Sequence, residues 1–339
     1  MARREMGGRE MAGCKIVSCC IAVLAIHMSL APAKAASDKT DLAQNFPSQT
    51  VKIVTPIGAG SAVDGLARVI AYKLQEIWKQ SVIIENRPGM PGTASVAKSA
   101  PDGYTLMMMS NGHVVGGLIN KNLSFDPIAD FQGVIKLASV PLVLVTTPTL
   151  PPNTLQDLIA LAHSKPGQLN YGSAGLASTS FLSAELFKKI TKTNFVQIPY
   201  TGGTDALMGV QRGDSHIYFL ALNLTTEQVR SGMLKAIAIA TSERSSALPD
   251  VPTFAEAGLP DYQYDAWFGA MAPANTPVPV LNKINADIRR VLRMPDVIER
   301  LKAQGFELTS STPDEFNELM KSDEKLYRDL LKDTKVGTP

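Results

Sequence analysis

Four short stretches rich in glycine, serine and threonine each follow an apolar run that has the pattern of a β-strand. They are Gly58–Ala62, Ser110–His113, Gly172–Ser180 and Pro199–Thr204. Turns of this kind leave main-chain N–H groups free at the start of the next helix, where the helix dipole favours an anion. In open α/β sheets, ligands bind beyond the carboxyl ends of the strands. Together the four stretches predict a shared anion-binding pocket.

Each stretch alone could be an ordinary tight turn before a helix, and Asp64, Ser178 and Thr204 are suitable N-cap residues. A nucleotide phosphate fits poorly, because a P-loop ends in Gly-Lys-Ser/Thr and these turns have no such lysine. Gly58-Ala-Gly60 is half of a dinucleotide fingerprint, but Val63 stands where its third glycine would be. The turns therefore favour a carboxylate over a nucleotide.

Catalytic chemistry has weaker support in the same residues. The segment 171–175 approaches a nucleophile elbow, but Tyr171 replaces the first glycine. A secreted hydrolase that uses Ser173 or Ser178 with His113 stays open as an alternative, since no other histidine lies in one of the four turns. No histidine pair has metal-binding spacing and no carboxylate cluster resembles a calcium loop, so no metal or other cofactor is expected.

Short apolar runs alternate with amphipathic segments through most of the chain. We predict strands at 51–54, 81–85, 104–109, 142–146, 169–173, 195–198, 217–220 and 234–240. We predict helices at 64–78, 92–100, 155–164, 178–191, 204–212, 280–293 and 313–333. This alternation indicates an α/β fold with mainly parallel sheets. The 339 residues, 45% of them apolar, are enough for two domains.

Residues 1–35 have the three parts of a secretory signal peptide. Basic residues come first, an apolar run follows from Ile16 to Leu30, and Ala33 and Ala35 fit an A-x-A cleavage site. The apolar run is about 15 residues long, which is short for a membrane span. An uncleaved anchor, or a lipid attached at Cys19, is a weaker alternative. The sequence therefore predicts export, with cleavage near Ala35.

Removal of this segment would change the composition of the working protein. All three cysteines of the chain lie within it, so the exported part would have no disulfide and no thiolate metal site. Five of the 33 basic residues and two of the 31 acidic residues would also be lost, which leaves a net charge of −1. A nearly neutral protein gives no electrostatic reason to expect nucleic acid binding.

Motifs spread along the exported part resemble the TctC/Bug family of periplasmic solute-binding proteins, which serve tripartite tricarboxylate transporters. The matching stretches are 46–54, 64–68, 84–89, 100–106, 165–175, 184–187, 198–200, 244–253, 256–260 and 267–273. Their order and coverage carry the resemblance, because the glycine-rich turns alone would not be specific.

The resemblance implies a two-lobed, type II-like binding protein whose lobes are joined by two crossover strands and close over a ligand. One lobe would comprise residues 36–141 and 268–339, and the other residues 142–267, with crossovers near 140–146 and 265–270. The family grips a ligand carboxylate with main-chain N–H groups, hydroxyls and waters. The expected protein is therefore a periplasmic transport component and not an enzyme, a monomer that delivers a small carboxylate to a membrane permease. A sensory binding protein for the same ligands is an alternative.

Departures from the family pattern bear on the ligand. Val63 lacks the hydroxyl that the family usually has there, whereas Ser61 supplies one two positions earlier. Many members have an aspartate where this chain has Leu220, which makes an amino acid ligand less suitable. With Leu176 and Trp267 also expected nearby, an aromatic carboxylate or a medium-chain dicarboxylate is favoured. The residues assigned to the ligand site are Ile57, Ser61, Ala62, Val63, Ser110, Asn111, His113, Ser173, Leu176, Ala177, Ser178, Thr179, Tyr200, Gly202, Gly203, Leu220 and Trp267.

Overall fold

A computed structural model describes residues 44–120, 122–175 and 178–332 of the chain. The predicted signal peptide lies outside these residues, and so do Leu176 and Ala177 of the predicted site. The helices and strands up to the middle of the chain are β1 (Val51–Thr55), α1 (Ala62–Trp78), β2 (Val82–Asn86), α2 (Met90–Ala97), β3 (Thr105–Ser110), α3 (Gly112–Ile119), β4 (Phe131–Ser139), β5 (Leu142–Thr146), α4 (Leu155–Ser164) and β6 (Asn170–Ser173). They are followed by α5 (Thr179–Thr191), β7 (Val196–Pro199), α6 (Gly203–Arg212), β8 (Ile217–Ala221), α7 (Leu222–Arg230), β9 (Lys235–Ile239), β10 (Trp267–Pro273), α8 (Val278–Val291), α9 (Pro295–Ala303), β11 (Glu307–Leu308) and α10 (Pro313–Leu331).

The strands form two sheets, and each sheet with its helices makes one lobe. The sheet of the first lobe has the order β11-β4-β10-β3-β1-β2, and the sheet of the second lobe has the order β7-β6-β8-β5-β9. The chain passes from the first sheet to the second at Val140–Pro141, and returns just before β10. At the junction, the Val140 N–H donates to the carbonyl of Ala266, 3.1 Å away, so the two crossovers run side by side. The residue limits predicted for the lobes stay a prediction.

Both sheets are mixed, whereas the sequence predicted mainly parallel ones. The pairs β1–β2, β1–β3, β6–β7 and β6–β8 are parallel. The short strand β11 is antiparallel to β4, and the two other exceptions are β10, which runs antiparallel to β3 and β4, and β5, which runs antiparallel to β8 and β9. These two strands enter their sheets directly from the other lobe. They therefore start at the edge where the parallel strands end.

The sequence did not predict several elements, all of them in the first lobe except α7. The long strand β4 lies second from the edge of its sheet, and α3 occupies the segment that was interpreted as a loop after β3. The short strand β11 and helices α7 and α9 were also missed. Helix α10 packs on β4 and α3 of the first lobe and also contacts α5 of the second lobe. It therefore spans the junction between the two lobes.

Within the part of the chain that the structure describes, none of the helices has the length and apolar character needed to cross a membrane.

Candidate functional site

The carboxyl ends of the parallel strands in both sheets face the junction between the lobes. In the first sheet, Ser110 at the end of β3 lies opposite Phe268, near the start of β10. In the second sheet, Ala221 at the end of β8 lies opposite Leu142, the first residue of β5. Since β5 and β10 both begin where the chain leaves a crossover, these strand ends adjoin the junction. The four predicted turns follow strands that end at this edge.

A buried aspartate holds the turn between β1 and α1. The side-chain amide of Asn86, at the end of β2, donates to Asp64 Oδ1 at 2.9 Å and to Thr55 Oγ1 at 2.7 Å. The N–H of Gly60 and the Nε of Arg68 both donate to Asp64 Oδ2 at 2.9 Å. One carboxylate therefore ties the turn to β2 and to its own helix, and Asn86 extends the connection to Thr55 of β1. The shape of the turn does not depend on a ligand.

The partners of Asp64 also fix its charge. The hydrogen bond from Arg68 is the main reason that the pKa of Asp64 falls to about 2, and it outweighs the effect of burial, which acts in the opposite direction. The Asp64 side chain is only 4% exposed, whereas that of Arg68 is 53% exposed. Asp64 is therefore ionised under physiological conditions and already paired. It serves as a support for the turn and does not present a free charge to an anion.

Helix α1 starts next to this buried carboxylate. Ser61 is its N-cap, in place of the predicted Asp64, and Ser61 Oγ accepts from the Asp64 N–H at 3.2 Å. The N–H groups of Ala62 and Val63 have no acceptor within the helix, because the first turn of any helix leaves its donors free. Ala62 is exposed, but the Val63 side chain is buried in the core of the first lobe. Val63 was predicted to face the ligand; only its main chain can do so.

The turn between β6 and α5 is held by hydroxyls. Ser178 is the N-cap of α5, and its Oγ accepts from the Phe181 N–H at 3.2 Å and donates to the Gly175 carbonyl at 2.7 Å. Ser180 Oγ accepts from the Ala174 N–H at 3.2 Å. The first-turn N–H groups of α5 after its cap again have no acceptor within the helix. This turn presents amides and hydroxyls without a charged side chain.

Helix α6 begins at the neighbouring strand end with even fewer contacts. Its N-cap is Gly202, in place of the predicted Thr204, and no side chain caps the helix. Gly203 is exposed. The phenol of Tyr218, which extends from β8, lies beside both helix starts. It is a hydrogen-bond neighbour of Ser180 in α5, and its hydroxyl would lie 3.6 Å from a Cβ added at Gly203 in α6. Two uncapped or hydroxyl-capped helix starts therefore meet around a buried tyrosine.

Two predicted residues of the second lobe have side chains engaged within the lobe. Ser173 is fully buried, and its Oγ accepts from Gln197 Nε2 at 2.8 Å. The ring of Tyr200 lies back across Gly172, and its hydroxyl is 2.8 Å from Ser215 Oγ. Since Ser215 precedes β8, the Tyr200 hydroxyl lies away from the edge where β8 ends. The Tyr200 hydroxyl is therefore engaged within the second lobe, and the assignment of Tyr200 to the ligand site stays a prediction.

His113 and Asn111 are also inside the first lobe. His113 Nε2 lies 2.7 Å from the Pro127 carbonyl, and the imidazole packs edge-on against Phe131. Burial lowers the pKa of His113 to about 4, so the ring is neutral at physiological pH. Asn111 is fully buried and donates to two tyrosine hydroxyls. Both side chains therefore have partners inside the lobe, and their assignment to the ligand site stays a prediction, whereas Ser110 lies half-buried at the strand end.

The apolar side chains expected near the ligand are likewise in the core. Trp267 is fully buried, donates from Nε1 to Asp323 Oδ2 at 2.6 Å and packs edge-on against Phe316 of α10. Leu220 is 2% exposed and belongs to the core of the second lobe together with Val143. Two of the three apolar side chains expected beside the ligand are therefore buried in the lobe cores, and the third residue, Leu176, lies outside the described residues.

Several predicted positions do lie at the junction edge, which is the edge of each sheet where the parallel strands end and the lobes meet. Ser61, Ser178 and Gly202 are helix caps there, and Ile57 and Thr179 are half-buried beside them. The sequence missed the residues that hold this edge in place: Thr55, Asn86 and Tyr218. Asn86 could have been found, because it ends a strand parallel to β1 and opens the turn at 86–89.

The hydrolase alternative is not supported by this arrangement. Ser173 and His113 lie in different lobes, and each has another hydrogen-bond partner. The Ser178 hydroxyl caps helix α5 by accepting from the Phe181 N–H. The described residues also contain no group of His, Cys, Asp and Glu side chains that could hold a metal ion.

Comparison with known proteins agrees with the two-lobed architecture. Residues 66–336 match the model of the family described as tripartite tricarboxylate transporter family receptor. BugT of Bordetella pertussis is 33% identical over 297 residues, which cover 86% of this chain and 91% of BugT.

Solved structures extend the likeness. The Rhodopseudomonas palustris protein Rpa4515, solved with adipate, is 32% identical with a TM-score of 0.71, covering 85% of this chain and 98% of that one. MatC from the same organism, solved with bound malate, is 32% identical with a TM-score of 0.70, covering 85% and 100%. These relatives are binding proteins and not enzymes. The chain belongs to the TctC/Bug family of tripartite tricarboxylate transporter receptors.

Proposed function

We propose that this receptor captures a small carboxylate between its lobes, through the first-turn N–H groups of α1, α5 and α6 and the hydroxyls beside them. The observation that carries the proposal is the convergence of three helix starts, from two different sheets, on the junction edge. Helix N-termini stabilise an anion without a salt bridge, and bridging waters lose little affinity. A ligand held by both lobes favours their closed arrangement.

The ligand class that fits best is a dicarboxylate of short to medium chain length. Two relatives at 32% identity were solved with adipate and with malate, both of which are dicarboxylates. A second carboxylate gives a second anion for the helix starts of the other lobe. An aromatic carboxylate was the other favoured ligand, but Trp267 and Leu220, which argued for it, have their side chains in the lobe cores. We therefore place it second.

Delivery and location complete the proposal. Residues 1–35 have the features of a signal peptide, and members of the family are periplasmic. The closed, loaded receptor would then dock as a monomer on the permease of a tripartite tricarboxylate transporter.

Thermal shift of residues 36–339 tests the ligand class. Adipate and malate should raise the melting temperature, because a ligand at 100 times its Kd adds about 2.7 kcal/mol to the free energy of unfolding. Adipamide, which has the length of adipate without its charges, is the matched control and should have no effect. Stabilisation by adipamide as strong as by adipate, or by glutamate and citrate in place of both acids, would overturn the proposed ligand class.

A further inference from the structure

The second crossover is held by the first lobe at two places. On one side, Asp265 accepts from Ser139 Oγ at 2.5 Å and pairs with Lys136, both on β4. On the other side, the Asn111 side-chain amide lies 3.4 Å from the Asp265 carbonyl. The Asn111 N–H donates to the carbonyl of Trp267 at 3.2 Å. Rotation of one lobe against the other must pass through this short segment.

Asn111 also connects the crossover to the C-terminal helix. Its Nδ2 donates to the hydroxyl of Tyr264 at 2.8 Å and to the hydroxyl of Tyr327 at 3.0 Å. Tyr264 lies on the crossover and Tyr327 on α10, and all three side chains are buried. We call Asn111, Tyr264 and Tyr327 the hinge clamp.

The hinge clamp touches the candidate ligand edge at one end and the second lobe at the other. Asn111 directly follows Ser110, the last residue of β3, which lies on the ligand edge. Helix α10, which carries Tyr327, reaches the second lobe through the ion pair between Asp329 and Lys189 of α5. A displacement of the strand end at Ser110 therefore reaches the crossover and α10 through a single buried side chain.

The surroundings of the hinge clamp allow movement. A cavity of about 490 Å³ lies between the crossover and α10, and its lining includes Tyr264, Asp265 and Tyr327. The Asn111 Oδ1 is buried and has no donor among the described residues, so its amide is half-satisfied in this arrangement. An unpaired buried acceptor costs free energy, so an arrangement that gives Asn111 Oδ1 a donor would compete with this one.

We propose that Asn111 is a positioning residue, which couples ligand occupancy at the end of β3 to the angle between the lobes without touching the ligand. The proposal rests on the proposed function, because it assumes that closure accompanies carboxylate binding. The hinge clamp stabilises the arrangement in which the lobes also meet directly, where Asn223 donates to the Gln304 carbonyl at 3.0 Å. Its loss lowers the population of that arrangement, and with it the apparent affinity for any ligand.

The test uses Tyr264→Phe and Asn111→Leu, with Tyr262→Phe as the matched control. Tyr262 is also a buried tyrosine, two residues before Tyr264, and its hydroxyl donates to the Ser183 carbonyl at 3.2 Å. Its removal costs a similar buried hydrogen bond but leaves the hinge clamp intact. Melting temperatures of the variants verify that they fold and that the stability losses are comparable.

The first measurement needs no ligand. Residues 44–332 contain no cysteine, and Tyr72 on α1 and Met208 on α6 are 61% and 42% exposed, so Tyr72→Cys and Met208→Cys accept spin labels in the two lobes. Pulsed electron paramagnetic resonance should give a broadened inter-lobe distance distribution for Tyr264→Phe and Asn111→Leu, and an unchanged one for Tyr262→Phe. Unchanged distributions in both hinge clamp variants would overturn the proposal, whether or not the carboxylate is the correct ligand.

The second measurement compares two ligands by titration calorimetry. The Kd values for adipate and for malate should both rise about fivefold in Tyr264→Phe, the effect of one lost hydrogen bond, and by the same factor for each ligand. A factor that differs between the two acids would mean direct contact with the ligand, and an equal rise in Tyr262→Phe would mean a general loss of stability. Either result would overturn the positioning role. Absence of binding to the wild type would instead refute the ligand class and leave the distance measurement to decide on the hinge clamp.

Discussion

The turn after β1 in the first lobe and the turns after β6 and β7 in the second lobe expose the same kind of group, the N–H donors of a helix start, but they are anchored differently. The buried carboxylate of Asp64 ties the first turn to its helix and to β2, and through Asn86 to β1. In the second lobe, the turn after β6 is held by the Ser178 cap, and the turn after β7 has Gly202 at the N-cap position, where no side chain caps the helix. The first turn is therefore built before ligand arrives, whereas the second-lobe turns keep more freedom to adapt to it.

This difference suggests a division of tasks between the lobes. A preorganised turn loses little entropy on binding, so the first lobe is suited to hold the ligand in the open state. The turns of the second lobe, with fewer fixed contacts, would then accommodate differences in ligand length as the lobes close. The variants below weaken one anchor at a time.

Asp64→Asn should have the largest effect. It removes the buried negative charge that accepts hydrogen bonds from the Gly60 N–H and from Arg68. The free energy of unfolding should therefore fall by about 2–3 kcal/mol. Binding of adipate should weaken at least about tenfold, since the turn must then be ordered by the ligand. Urea unfolding and titration calorimetry measure the two quantities.

Asp157→Asn is the control for this variant. Asp157 occupies the same position in the first turn of α4, a helix whose N-cap is Thr154. Asp157 is exposed, and α4 does not start at the edge where the ligand is proposed to bind. Its replacement should change neither quantity by more than a few tenths of a kcal/mol. A comparable loss of binding in both variants would show that the Asp64 anchor has no special part in the site.

Ser178→Ala should have a smaller effect, about 1 kcal/mol in stability, because it removes one helix cap. Binding should weaken about threefold, since the cap also holds the Gly175 carbonyl. Thr154→Ala removes the equivalent cap of α4 and should cost similar stability with unchanged binding. If the two cap variants bind adipate equally well, the turn after β6 does not contribute to the ligand site.

The sequence predicted the elements that have a local signal. Strands β1, β3 and β5 are largely apolar runs that end at turn-forming residues, which are glycine and serine after β1, glycine after β3, and proline and asparagine after β5, so their positions were found. Strand β4 was missed, because Gly133 and Lys136 interrupt its apolar pattern and register shifts occur along its pairing with β10. Helix α3 was missed because its glycine-rich sequence resembles a loop.

The missed contacts also explain why several side chains assigned to the ligand site lie in the lobe cores instead. His113 was assigned to the ligand because its partners, Pro127 and Phe131, belong to a region without a predicted element. Trp267 turns to Phe316 and Asp323, about 50 residues further along the chain. Nothing in the local sequence of β10 tells which face of the strand α10 covers. Side-chain direction at a strand covered on both faces is set by distant packing, which one sequence does not reveal.

The response to pH separates the turns from the hinge. The pKa of Asp64 is about 2 and hydroxyls do not titrate, so neither turn should change its charge above pH 4. Asp323, beside the hinge clamp, differs: burial raises its pKa to about 6, against the hydrogen bond from Trp267. Because its folded pKa lies above the unfolded value near 3.8, the fold favours the protonated acid. That contribution to stability is complete below pH 4 and is lost as the pH rises through 6.

Asp323→Asn keeps a hydrogen-bond acceptor for Trp267 and removes the titration. The free energy of unfolding of the wild type should therefore fall relative to this variant between pH 4 and 6 and stay constant above pH 7, as measured by urea unfolding across that range. Asp64→Asn should show the opposite trend, with a difference from wild type that is constant above pH 4 and shrinks towards pH 2. A pH dependence near 6 that persists in Asp323→Asn would place the titrating group elsewhere. Since His113 is neutral at that pH and the turns do not titrate there, such a result would break the distinction between fixed turns and a titrating hinge.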